Sequence, residues 1–143
     1  MLPCRQPARS ASARSASLKY VRQEVRMNVR ECYEAIDGDY EEVKRRFLTD
    51  ARIRRFALLF LKDSSMEELR AAMAEKNCEK AFQAAHTLKG VCLNLGFSGL
   101  FKPVNSITEL LRAGYYEKAL EEMEQVEKDY MITEKSLREL EES

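Results

Sequence analysis

The sequence predicts an all-α fold, an antiparallel up-down-up-down four-helix bundle preceded by short N-terminal helices, on three observations. Charged residues make up 34% of the 143 residues, while glycine (five) and proline (three) are scarce, a composition that favours helix-rich chains. Apolar residues recur at i, i+3, i+4 and i+7 in successive windows, and no window alternates with the two-residue period of a strand. Helix-capping signals separate those windows. A chain of this length most simply forms one domain around one modest core.

Residues 1–26 stand apart. They hold six basic residues (Arg5, Arg9, Arg14, Lys19, Arg22, Arg26) against Glu24 alone. Removing those from totals of 24 and 24 leaves 18 basic and 23 acidic residues in 27–143, a net of −5. The opening MLPCRQPARSASARSAS has no acid and no apolar h-region, so a secretory signal is not expected. An organelle transit peptide shares this composition. A disordered tail, a vector remnant or translation from an early start ahead of Met27 is the blander reading and the favoured one. The division expected is a disordered or non-native basic tail over 1–26 and a folded domain over 27–143.

The acidic folded part argues against nucleic acid or an anionic membrane as the main partner. No apolar stretch approaches the roughly 20 residues that span a bilayer. Cys4, Cys32, Cys78 and Cys92 are scattered, and the chain has one histidine, so neither a clustered zinc site nor a disulfide framework is predicted. Reduced thiols, no metal and a cytoplasmic home follow as expectations.

Helical punctuation begins near residue 28. Asp39-Tyr40-Glu41-Glu42 fits a capping box, with Tyr40, Val43 and Phe47 following on one face. A second helix opens near Thr49 or Asp50 and aligns Ile53, Phe56, Ala57, Phe60 and Leu61. Ser65-Met66-Glu67-Glu68 reads as another capping box, with Met66, Leu69 and Met73 inward. Asn77 is a plausible cap for the next helix, which runs to Gly96, a good residue for a helix C-terminus. A further helix spans from near Ser98 to Gly114, with Leu100, Val104, Ile107 and Leu111 on one face and Pro103 in its first turns. The last, from about Tyr116 to Leu140, repeats Ala119, Met123, Val126, Tyr130, Leu137 and Leu140 near a 3.5-residue period. That repeat is more simply a bundle seam than a homodimeric coiled coil, so a monomer is expected.

The helix after Asn77 carries the chemistry. On a wheel at about 100° per residue, Ala81, Ala84, Ala85, Leu88, Val91, Cys92 and Leu95 fall within about 60° of Leu88. His86 falls about 160° away, with Lys89 and Gly90 three and four residues on and sharing its outer face. Phe82 and Leu93 lie on that side too, an apolar rim suited to docking a partner. A mid-helix glycine costs roughly 1 kcal/mol against alanine, and Gly90 points outward, so access to the histidine is its natural reason. A neutral imidazole nitrogen is a nucleophile at physiological pH, and Lys89 supplies a point charge for phosphoryl oxygens.

Ala85-His86-Thr87-Leu88-Lys89-Gly90, followed by Asn94-Leu95-Gly96, resembles the A-H-x-L-K-G…N-L-G signature of histidine-containing phosphotransfer (HPt) domains. The similarity extends over roughly residues 28–141. By that resemblance His86 accepts a phosphoryl group from a receiver-domain aspartyl phosphate and passes it to another receiver, with Lys89 assisting and Gly90 leaving room. Phe82, Leu93 and Gly90 would form the docking face. The partners implied are response-regulator receiver domains, with a hybrid histidine kinase as a further candidate. Mg²⁺ would sit on the receiver, and no cofactor is expected on this chain. The family often has Glu or Gln one turn before a basic residue near the phosphohistidine. Here those places are Thr108 and Arg112, which the resemblance puts in the phosphoryl neighbourhood.

Two other readings compete. A helical docking module that binds receivers without being phosphorylated would use the same apolar rim. A histidine kinase would need a nucleotide-binding domain and a Gly-rich phosphate loop, and its motif normally carries an acid after the histidine, where this chain has Thr87. An enzyme is therefore not expected.

Overall fold

The structure, a computed structural model, describes residues 27–143, so the expected tail over 1–26 lies outside the described residues. Among those residues seven α-helices follow in order: α1 (Val29–Ala35), α2 (Tyr40–Phe47), α3 (Asp50–Leu59), α4 (Ser65–Ala74), α5 (Cys78–Leu95), α6 (Ser98–Arg112) and α7 (Tyr116–Glu142). A 3-10 turn at Phe60–Lys62 continues α3. No strand occurs among the described residues, in keeping with the missing two-residue alternation.

Helix starts have local causes. Asn28 and Glu31 cap α1 reciprocally: Asn28 Oδ1 accepts from the Glu31 N–H at 2.8 Å, and Glu31 Oε1 accepts from the Asn28 N–H at 3.1 Å. Asp39, Thr49 and Asn77 each accept from the backbone N–H three residues on, opening α2, α3 and α5. The capping box expected at Ser65–Glu68 does not form. Ser64 is the N-cap, and its hydroxyl donates to Glu68 Oε2 at 2.8 Å. Ser65 is the first helical residue, buried, with its N–H donating to Asp63 Oδ2 at 3.0 Å. Two adjacent serines carried the same signal one residue apart.

α4, α5, α6 and α7 pack in succession, joined by loops of two or three residues, which makes sequential neighbours antiparallel. α1 and α3 lie against α7. The whole expected stripe of α7, from Ala119 to Leu140, is buried. Arg70 of α4 makes a bidentate bond to Glu127 of α7 at 2.7 and 2.8 Å, and its guanidinium sits over the Tyr130 ring at 5.2 Å. Such forked pairs add orientation as well as attraction.

The α3 stripe is only partly met. Ile53, Ala57 and Phe60 are buried, but Phe56 is 38% exposed and stacks on Phe47 of α2 with ring centroids 5.0 Å apart. Leu61 is half-buried because the 3-10 turn shortens the helical period just before it. In α6, Pro103 is buried and the helix runs through it.

Gly96 ends α5 with φ +69° and ψ +28°. The Phe97 N–H donates to the Cys92 carbonyl at 2.9 Å and the Gly96 N–H to the Leu93 carbonyl at 3.3 Å, the paired bonds of a left-handed helix stop. A Cβ at Gly96 would strike Val43 of α2. The α1–α2 turn is fastened at the same point. The Asp39 N–H donates to the Gly96 carbonyl at 2.8 Å, and the Tyr33 hydroxyl to the Leu95 carbonyl at 2.6 Å. The C-terminal end of α5 is thereby held against α1 and α2.

Candidate functional site

The two faces of α5 separate as the wheel required. Ala81, Ala84, Ala85, Leu88, Cys92 and Leu95 are buried and Val91 is half-buried. His86 is exposed on the opposite face, with Lys89 and Gly90 half-buried beside it. Lys89 has no ion-pair partner among the described residues. A Cβ built on Gly90 would meet nothing within 4 Å. No packing within the described part of the chain requires that glycine.

Phe82 differs from its expectation. Rather than standing free on the surface it is half-buried and packed against the core. Its ring stacks on the His86 ring, with centroids 5.7 Å apart and planes at 25°. Side chains in a helix lean toward its N-terminus, so His86 reaches back over the residue four before it. Spacing alone would have found this pair. A second contact came from tertiary structure only: the exposed Arg112 of α6 places its guanidinium over the Phe82 ring at 5.0 Å, while its Nε donates to Glu109 Oε2 at 3.0 Å. His86, Phe82 and Arg112 are thus brought together.

Thr108 is not brought to them as expected. It is fully buried, and its hydroxyl donates to the Val104 carbonyl one turn back at 2.6 Å. That bond consumes its only side-chain donor, leaving none to orient an imidazole or bind a phosphoryl oxygen. The wheel of α6 already hinted at this, since Thr108 follows Val104 at i+4 and neighbours Ile107, both buried.

Leu93 is 62% exposed, as expected for the rim. It borders a cleft of about 270 Å³ between the end of α5, α2 and the start of α6, lined also by Arg46, Ser98 and Phe101. The three described cysteines, Cys32, Cys78 and Cys92, are free. Burial pushes the thiols of Cys32 and Cys92 up to about 12. No cluster of three or more His, Cys, Asp or Glu able to hold a metal occurs among the described residues. No described helix is long and apolar enough to cross a membrane.

A family model described as "Hpt domain" matches residues 42–141, from the first turn of α2 to the last turn of α7. No curated protein and no solved structure matches the chain significantly.

Proposed function

The chain belongs to the Hpt domain family, the phosphotransfer modules of two-component signalling, and we propose that it is a phosphorelay intermediate carrying its phosphoryl group on His86. The observation that carries this reading is an exposed histidine with a lysine three residues on, unpaired among the described residues, and open space at the fourth. Donor and acceptor are receiver domains. A ring nitrogen of neutral His86 directs its lone pair at the phosphorus of a receiver aspartyl phosphate. The N–P bond forms as the P–O bond to the carboxylate breaks. The carboxylate leaves with the bonding electrons, and the other ring nitrogen keeps its hydrogen. A second receiver aspartate reverses these roles.

Lys89 stabilises the charge spread over the phosphoryl oxygens in transit. Gly90 lets the receiver's site close on the ring without meeting a side chain. Arg112, held over Phe82, is the second cation near the phosphoryl group. The receiver's Mg²⁺ neutralises phosphoryl charge from the other side, so this chain works as a carrier and needs no nucleotide site. Exposed Leu93 and its cleft belong to the docking face, and the domain acts as a cytoplasmic monomer.

The test is to mix the purified protein with phosphorylated receiver domains and Mg²⁺, and follow acid-labile, base-stable phosphate on this chain. Label on the wild type that is absent from His86→Gln is the expected result. Receiver binding without label on any receiver tried would leave a helical docking module as the better reading.

A further inference from the structure

An exposed imidazole on a helix ordinarily samples several rotamers, because nothing but solvent surrounds it. Transfer from a docked receiver tolerates little of that freedom. The attacking nitrogen must lie close to phosphorus and opposite the leaving oxygen, in a near-attack arrangement. On the carrier reading Lys89 acts on the phosphoryl oxygens rather than on the ring. Thr108, which the resemblance put in the phosphoryl neighbourhood, is buried with its hydroxyl bonded to Val104. Among the described residues Phe82 stacks on the ring, nearly parallel to it at 25°.

We propose that Phe82 is a positioning residue for phosphoryl transfer, holding the His86 imidazole and the Arg112 guanidinium on one aromatic platform. A stacked neighbour restrains the plane of the imidazole while leaving both ring nitrogens, which lie on its edge, open to the partner. The same ring receives Arg112. A guanidinium over an aromatic face keeps its N–H groups directed outward in its own plane. Among the described residues only Glu109 engages the guanidinium, at Nε, and the remaining N–H donors are the ones that would meet phosphoryl oxygens. Phe82 is able to do this because it is itself half-buried and packed on the core; a freely exposed ring could not hold another.

This inference rests on the carrier reading, so its test separates the two. The variants are Phe82→Leu, which keeps apolar bulk, and Phe82→Tyr, which keeps the ring; unfolding midpoints confirm that each folds. Because the chain has one histidine, its imidazole protons give a single pair of resonances. Wild type should show them shifted upfield by the Phe82 ring current, Phe82→Tyr should keep the shift, and Phe82→Leu should lose it. Transfer from a saturating phosphorylated receiver should fall about tenfold in Phe82→Leu, well within what a misplaced reactant can cost, and recover in Phe82→Tyr. Labelling by phosphoramidate, a small donor free to approach any ring orientation, should fall by less than transfer from the receiver.

A Phe82→Leu variant that loses receiver affinity but transfers at the wild-type rate when saturated would overturn the proposal and make Phe82 a docking residue. An imidazole shift identical in wild type and Phe82→Leu would overturn it as well. A wild type that takes no label from any receiver refutes the carrier reading instead, and the ring-current shift then decides independently whether Phe82 holds the ring.

Discussion

The Tyr33 hydroxyl donates to the Leu95 carbonyl at 2.6 Å, a fully buried bond across 62 positions of sequence. Leu95 is the last residue of α5, where carbonyls have no partner within the helix, so α1 supplies one from outside. The bond ties the N-terminal helices to the end of the helix that carries His86.

Removing that hydroxyl leaves a buried carbonyl without this donor. Tyr33→Phe should therefore destabilise the fold by about 1–2 kcal/mol. Urea unfolding should show a lower midpoint with an unchanged slope. An unchanged midpoint would mean that water or a backbone shift satisfies Leu95 equally well.

Gly90→Ala should separate stability from activity. Its added methyl meets nothing within 4 Å, and alanine is favoured over glycine inside a helix by about 0.5–1 kcal/mol. Thermal unfolding should occur at a higher temperature while receiver-dependent phosphorylation of His86 slows. A variant that is more stable and equally fast would show that the open space beside His86 serves no partner.

Thr108→Val should leave phosphoryl transfer unchanged, because the buried hydroxyl is bonded within its own helix. Initial rates of label transfer measure this directly. A rate lowered tenfold or more would return Thr108 to the site and contradict its buried placement.

The two buried thiols predict a chemical and a pH signature. Burial raises the folded pKa of Cys32 and Cys92 to about 12 from an ordinary value of 9.0. Only the thiolate is nucleophilic, so an alkylating reagent at pH 8 should modify half-buried Cys78 well before either of them, as peptide mass mapping would read. The sign of the linked stability change follows from proton counts. Above about pH 9 the unfolded chain releases these protons while the folded chain keeps them, so ΔG of unfolding falls as pH rises from there towards 12. The thiols' contribution is complete below that window. Denaturant midpoints that stay level from pH 8 to 11 in the wild type, or fall as steeply in Cys32→Ser/Cys92→Ser, would contradict it.

Several features were legible because they depend on near neighbours in the chain. Asp39, Thr49 and Asn77 cap their helices through bonds only three residues long. Gly96 stops α5 because glycine readily adopts positive φ. The core and outer faces of α5 followed from the 3.6-residue period, and the outward positions of His86 and Gly90 followed with them. The errors lie where that period or a local signal admitted two outcomes. Ser64 and Ser65 were interchangeable as caps, and the 3-10 turn at Phe60–Lys62 left Leu61 half-buried. Phe56 sat on an apolar stripe but met Phe47 at the surface instead of the core.

By itself the sequence determined an all-α bundle, the helix that bears the sole histidine, and the signature around it, since each is written in spacings of three or four residues. Tertiary structure alone decided how the site is furnished. Whether Thr108 faces the core or the histidine depends on how α6 is rotated against its neighbours. Whether Arg112 reaches Phe82 depends on how α6 lies beside α5, and these residues are 30 positions apart. Periodicity specifies which face of a helix is apolar. Only packing against other helices specifies what that face, and the residues along its edges, will touch.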